Sequence, residues 1–268
     1  MQPEIDLLGL SLKTFGLCFG LAFVASGMIV GRRLKELGKP VDWAYEIVFA
    51  ALIGGLVGAR LYWILGNLDE VEGDIIGGAL GGSGLVWFGG GLGGAAGVLL
   101  WAYRKGMFNL TLLDMCSPAL AMGYAIGRVG CQVSGDGDYG QPTDLPWGMA
   151  YPDGVVPTDE VVHPTPIYET VSMGLVAWWL WRSRDAFRPG VVFAFYLLLA
   201  GTERLLVEFV RRNEPVLAGL TEAQLLSLVM MLAGAVWLWR AYPWSASTGD
   251  RRDRAGDAPA GRSSAASA

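Results

Sequence analysis

The chain has 268 residues, 53% of them hydrophobic and only 17% charged, with a formal net charge of −5. Its apolar runs last about 20 residues, enough to cross a hydrocarbon core about 30 Å thick, which excludes an ordinary soluble domain and marks an integral membrane protein. The acidic balance without a basic stripe argues against nucleic acid as a partner. One histidine and three cysteines without paired spacing (Cys18, Cys116 and Cys131) argue against a zinc or haem centre and against a disulfide framework, so no metal or cofactor is expected.

Seven spans are predicted, at about 12–31, 43–65, 83–103, 110–128, 167–184, 190–210 and 221–241. The expected class is all-α. The N-terminal stretch "MQPEIDLLGLSLKTFG" lacks a basic n-region, and the first span runs into "GRRLKELGK", so it reads as a retained helix and not a signal peptide. An acidic loop, "GNLDEVEGD", follows the second span. The glycines of "GGSGLVWFGGGLGGAAG" predict a broken or re-entrant first half for the third. After the fourth span, the loop at 129–166 is too long for a simple connection and is expected to form a lid over the outer mouth. From about residue 244 the chain has no apolar period, which divides it into a membrane domain (1–243) and a disordered tail (244–268). Arg32, Arg33, Lys35, Lys39, Arg104, Lys105, Arg182, Arg184, Arg188 and Arg240 fall on one side, which sets the N-terminus outside and the C-terminus inside.

Several charges lie in or at the edge of apolar spans: Arg60, Arg128, and Arg204 with Glu203 and Glu208. An unpaired charge at a span centre costs about 2.5–3.5 kcal/mol, so each needs a partner, a wet cavity or an interface. Spans four and six run in the same direction, so Arg128 and Arg204 fall at similar depth in the outer half. As neighbours they would form a cradle for a phosphate, which the planar guanidinium fork suits. The plainer alternative pairs Arg204 with Glu208 four residues on and lets Arg128 snorkel to the interface. In "GCQVSGDGDYGQPTDLPWG", Gly130, Gly135, Gly137 and Gly140 allow close backbone approach, and Asp136 and Asp138 would steer Arg128 or serve as a base. A polar turn capping span four is the alternative. His163 in "VHPTPIYE" and Cys131 beside Arg128 are open between structural and catalytic roles.

"GRVGCQVSGDGDYGQPTDLPWG", "HPTPIYE" and "ERLLVEFVR", preceded by "FGLCFGLAF", "GARLYWIL" and "FGGGLGG", resemble the bacterial prolipoprotein diacylglyceryl transferases over about residues 12–240. The resemblance implies seven transmembrane helices with an outward lid in the bacterial cytoplasmic membrane, and no metal or soluble cofactor. It implies transfer of the diacylglyceryl group of phosphatidylglycerol to the thiol of a lipobox cysteine in a preprolipoprotein, with glycerol phosphate leaving. By position, Arg128 and Arg204 match the family's two key arginines, Gly140 its loop glycine, Glu208 its later carboxylate, and His163 and Glu169 its H-P-x-x-x-Y-E segment. Asp136 or Asp138 stands near its loop acid, in a loop one residue longer. Cys131, Ser134 and Arg60 join the substrate-binding candidates. The chain departs from the family pattern at Phe15, Phe88 and Ala200, where polar residues are usual, and at Cys131, where asparagine is usual. Two other readings stay open here: a paralogue that binds phospholipid head groups without this reaction, and a small-solute transporter, which the lack of internal repeats disfavours.

Overall fold

A computed structural model describes residues 1–7, 10–68 and 87–245. Seven helices carry its apolar runs: α1 (Thr14–Glu36), α2 (Trp43–Gly66), α3 (Trp87–Lys105), α4 (Leu110–Ser134), α5 (Thr165–Ser183), α6 (Val191–Glu208) and α7 (Glu222–Arg240). Among the described residues the remaining elements are two antiparallel ribbons. β1 (Glu4–Leu7) pairs with β2 (Leu10–Lys13) ahead of α1, and β3 (Met149–Tyr151) pairs with β4 (Thr158–Val162) between α4 and α5. By length and composition, α1, α2, α4 and α7 are each apolar enough to cross a membrane. Large apolar side chains such as Leu21, Met28, Phe49, Leu65, Leu232 and Trp239 point outward. A soluble protein does not expose apolar surface on this scale, whereas lipid covers it. The chain is an all-α, multi-pass membrane protein.

The helices pack chiefly as α2 on α3, α1 on α4, α4 on α5 and α6 on α7, with α5 and α6 also in contact. Glycine governs the first of these contacts. A Cβ added to Gly58 would lie 2.7 Å from the Gly93 Cα, and one added to Gly93 would lie 2.7 Å from the Gly58 Cα. Such backbone-to-backbone approach is how helices associate where no hydrophobic drive separates protein from lipid. From Trp87 onward it corrects the expectation of a broken third span, because the glycine-rich stretch there is a continuous helix whose small residues form the face that meets α2, while residues 81–86 lie outside the described residues.

One polar contact sets the level of the functional region. Asp114, near the start of α4, accepts from the Gly190 N–H (2.7 Å) and the Phe193 N–H (2.9 Å). It thereby satisfies the free amides that open α6 with a negative charge at the helix's positive end. From that shared level α4 and α6 rise side by side. Arg128 lies fourteen residues beyond Asp114 and Arg204 thirteen beyond Val191, so at 1.5 Å per residue both stand about 20 Å further along. An apolar layer of Ala121, Ala125, Met173, Ala177, Leu180 and Ala200 fills the space between α4, α5 and α6.

α4 runs six residues past its expected end at 128. Gly130 lets it pass α1 closely, since a Cβ there would meet the Cys18 Cβ at 2.9 Å and the Phe15 ring at 3.4 Å. The Ser134 hydroxyl donates to the Gly130 carbonyl (2.8 Å), and the helix stops at Gly135, in the left-handed conformation (φ 61°). Arg128, Cys131 and Ser134 are therefore helical residues and not loop residues. The expected tail beyond Ser245 and residues 69–74 of the acidic loop lie outside the described residues.

Candidate active site

Arg128 on α4 and Arg204 on α6 meet on one residue, Glu169 of α5, which has no exposed surface. Arg128 Nε lies 3.2 Å from Glu169 Oε2, and Arg204 Nη1 lies 3.2 Å from Glu169 Oε1. The Tyr124 hydroxyl donates to Glu169 Oε1 (2.6 Å) and accepts from Arg128 Nη2 (3.1 Å). Tyr124 stands one helical turn before Arg128, so both side chains leave the same face of α4.

A third guanidinium joins the two. Arg211, just past the end of α6, puts Nη1 3.6 Å from Glu169 Oε2 and Nη2 2.5 Å from Asp138 Oδ1. The other oxygen of Asp138 accepts from Arg128 Nη1. Arg204 Nη2 lies 2.7 Å from Glu208 Oε2, and Glu208 Oε1 accepts from the Thr221 hydroxyl (2.6 Å) and Asn213 Nδ2 (2.7 Å). Thr221 is also the N-cap of α7, where it forms a reciprocal capping box with Gln224. Three arginines and three carboxylates thus balance in charge. Removing one member of such a buried set strands its partners, at a cost of about 3–5 kcal/mol. Asp138 lies beyond the helices. Burial pushes its carboxyl upward, but the Arg128 and Arg211 guanidiniums outweigh this and hold it below the ordinary carboxylate value.

The segment after α4 is strapped to this centre by backbone. The Gly140 N–H donates to the His163 carbonyl (2.8 Å), the Gln141 N–H to the Val210 carbonyl (2.8 Å), and the Thr165 hydroxyl to the Asp138 carbonyl (2.5 Å). A Cβ on Gly140 would press on the Val210 carbonyl, the His163 Cβ (2.9 Å) and the Thr165 Cγ2 (3.0 Å), so only glycine closes this strap. His163 pairs with Tyr168. Its Nδ1 is 3.3 Å from the Tyr168 hydroxyl, to which Trp147 Nε1 donates (2.8 Å). These three residues, with Leu145, Leu206 and Val210, line an open hollow of about 430 Å³.

The residues singled out from the sequence therefore divide. Arg128, Arg204, Asp138, Glu169 and Glu208 share one network. Cys131 lies beside it, its Sγ 3.7 Å from Arg128 Nη1. Asp136 accepts from the Asp138 N–H (3.3 Å) and so shapes the turn that presents Asp138. Ser134 bonds back to its own helix, and Arg60, on α2, lies over the Trp63 ring at 4.4 Å. Glu203 is buried against α5 and accepts from the Ser172 hydroxyl (3.1 Å). Of the departures, Phe15 borders Gly130 and Ala200 lies in the apolar layer that Tyr124 packs against, while the side chain of Phe88 lies outside the described residues. Sequence reasoning missed Tyr124 and Arg211. Their signal was helical spacing: four residues before Arg128, and three after Glu208.

A multi-pass helical protein that gathers three arginines and three carboxylates into one largely buried centre is of the class that handles a charged group at the membrane. Comparison with known proteins narrows the class. Residues 4–240 match the family described as prolipoprotein diacylglyceryl transferase. Proteins named phosphatidylglycerol–prolipoprotein diacylglyceryl transferase are similar to the chain: one from Clostridium tetani is 31% identical over 87% of this chain and 95% of its own length. Another from Chromohalobacter salexigens is 33% identical over 88% and 93%, and one from Bordetella parapertussis 31% over 90% and 97%. The chain belongs to the prolipoprotein diacylglyceryl transferase family.

Proposed function

We propose that the protein transfers the diacylglyceryl group of phosphatidylglycerol to the thiol of a lipobox cysteine in preprolipoproteins, releasing glycerol phosphate, in the bacterial cytoplasmic membrane. The observation that carries this reading, given the family, is the meeting of Arg128 and Arg204 from parallel helices on Glu169. Displacing a phosphate ester from carbon builds charge on the leaving oxygen. Fixed guanidiniums at a partly dehydrated site lower the energy of that charge without reorganising. Arg128 and Arg204 bind the phosphate. Glu169 and Glu208 fix the arginines, and a carboxylate at the loop, Asp138 or Asp136, serves the acid–base side. Cys131 lines the space beside Arg128, and Gly140 and His163 hold the strap. The Lys and Arg bias of the helix ends supports an orientation with this centre facing outward, the strapped segment acting as its lid, and the C-terminal tail inside.

The cellular test is complementation of a strain depleted of its own transferase, read as the mobility shift of a lipoprotein on gels. The parent chain restores the shift. Arg128→Ala at equal membrane abundance does not. Full rescue by Arg128→Ala would refute the reading.

A further inference from the structure

In this structure the group gripped between Arg128 and Arg211 is the carboxylate of Asp138, and its placement resembles that of a bound phosphate. Each of its two oxygens takes a different guanidinium, Oδ2 from Arg128 and Oδ1 from Arg211. The two non-bridging oxygens of a phosphodiester present the same two-pronged, charge-assisted acceptor. The three carboxylates of the network are not held alike. Glu169 and Glu208 have no exposed side-chain surface and are also bonded by Tyr124, or by Thr221 and Asn213. Asp138 is 34% exposed, sits on a loop, and its carboxylate is held among the described residues by the two guanidiniums alone. It is the one anion of the set that an incoming phosphate can reach and displace. The other groups facing it are Asp136, whose carboxylate accepts its N–H, the Cys131 thiol, and Glu169 across the arginines.

Resting on the proposed transfer reaction, we propose that the lipid phosphate exchanges places with the Asp138 carboxylate, and that the carboxylate so released is the base for the acceptor thiol. An arginine-paired carboxylate is a poor base, so the exchange makes the base available only when lipid is bound, which guards against unproductive ionisation. In the step itself the thiol proton passes to an Asp138 oxygen. The sulfur forms a bond to the terminal glycerol carbon of the diacylglyceryl group, and the bond from that carbon to the phosphate ester oxygen breaks. Its electron pair stays on the departing glycerol phosphate, whose charge Arg128 and Arg204 hold, with Arg211 as a third donor on the side that Asp138 vacates. The proton on Asp138 then leaves to water, and the carboxylate returns to the arginines as glycerol phosphate departs.

The experiment measures binding of dihexanoyl phosphatidylglycerol, with inorganic phosphate as a second arm, to purified full-length protein in detergent, alongside turnover with a lipobox-cysteine peptide. Asp138→Asn removes the internal competitor, so it binds the short-chain lipid several-fold more tightly than the parent while turnover falls at least 100-fold. Its residual turnover rises with pH toward the thiol's own ionisation at about 8.5, whereas Asp138→Glu recovers part of the parent rate. A parallel gain for inorganic phosphate assigns the exchange to the phosphate alone, and a gain confined to the lipid assigns it to the whole head group. Weaker lipid binding by Asp138→Asn, or parent-level turnover, would overturn the exchange. Should that variant not fold, hydrogen exchange on the parent decides: amides 136–141 exchange faster with lipid bound, and unchanged or slower exchange refutes the proposal. Arg128→Ala separates the two levels. Its loss of lipid binding with weaker binding by Asp138→Asn removes the exchange only, whereas parent-like binding and turnover in Arg128→Ala removes the transferase reading itself.

Discussion

The two ends of α5 carry the same residue types in different settings. Near its N-terminus, Glu169 joins three arginines and is fully buried. Just past its C-terminus, Arg184 donates to both oxygens of Glu36 (2.8 and 3.0 Å), and Arg33 bonds Glu36 (3.0 Å) and Asp185 (2.7 Å), but Glu36 is 28% and Asp185 64% exposed. Water and counter-ions reach Glu36, Arg184 and Asp185 at the second site, where Arg33 alone is buried, and do not reach the Glu169 carboxylate. The exposed network trims the helix ends. The buried one costs more than apolar packing of the same helices would, which fits the proposed role of this centre.

Substitutions at the two ends should separate these roles. The largest effect is on chemistry: Arg204→Ala lowers the rate of diacylglyceryl transfer at least 100-fold, the loss expected when one preorganised donor to a developing anion is removed. Arg184→Ala in parallel leaves the rate near that of the parent. Next is stability. Glu169→Ala strands three guanidiniums and costs about 3–5 kcal/mol, seen as a lower unfolding midpoint in detergent, whereas Glu36→Ala costs no more than about 1 kcal/mol.

The smallest effect is on pH dependence. The Asp138 carboxyl is held below its ordinary value, so its contribution is complete above that value and is lost only as pH falls through the lower folded one. Proteolysis of the 135–164 segment should therefore stay slow from neutrality down to about pH 4 and accelerate below it. Asp138→Asn should remove that acid transition. An onset between pH 5 and 7 would assign the strap to some other group.

Much of the architecture was legible in the sequence because hydropathy is read along the chain. All seven segments coincide with helices, and the shared direction of spans four and six follows from counting crossings. What was not legible depends on neighbours in space. The glycines of α3 read as helix-breaking until Gly58 of α2 supplies a backbone to pack on. The end of α4 was read at Arg128 because charge marks a boundary, whereas Gly130 against Phe15 and Cys18 carries the helix on to Ser134. Arg211 falls just past the expected sixth span, and only the fold turns it back onto Asp138 and Glu169. The β1–β2 ribbon was missed because "EIDLLGLSLK", most of it ahead of the first span at 12–31, was read only for a signal peptide, although its alternation has the period of a strand.

Release of glycerol phosphate from phosphatidylglycerol by purified protein, with a lipobox-cysteine peptide as acceptor, tests the central claim most directly. The parent releases glycerol phosphate in step with peptide modification, and Arg128→Ala and Arg204→Ala, each shown to be folded at the assay temperature, release neither. Undiminished release by either variant would contradict the claim that two arginines from parallel helices hold the lipid phosphate together.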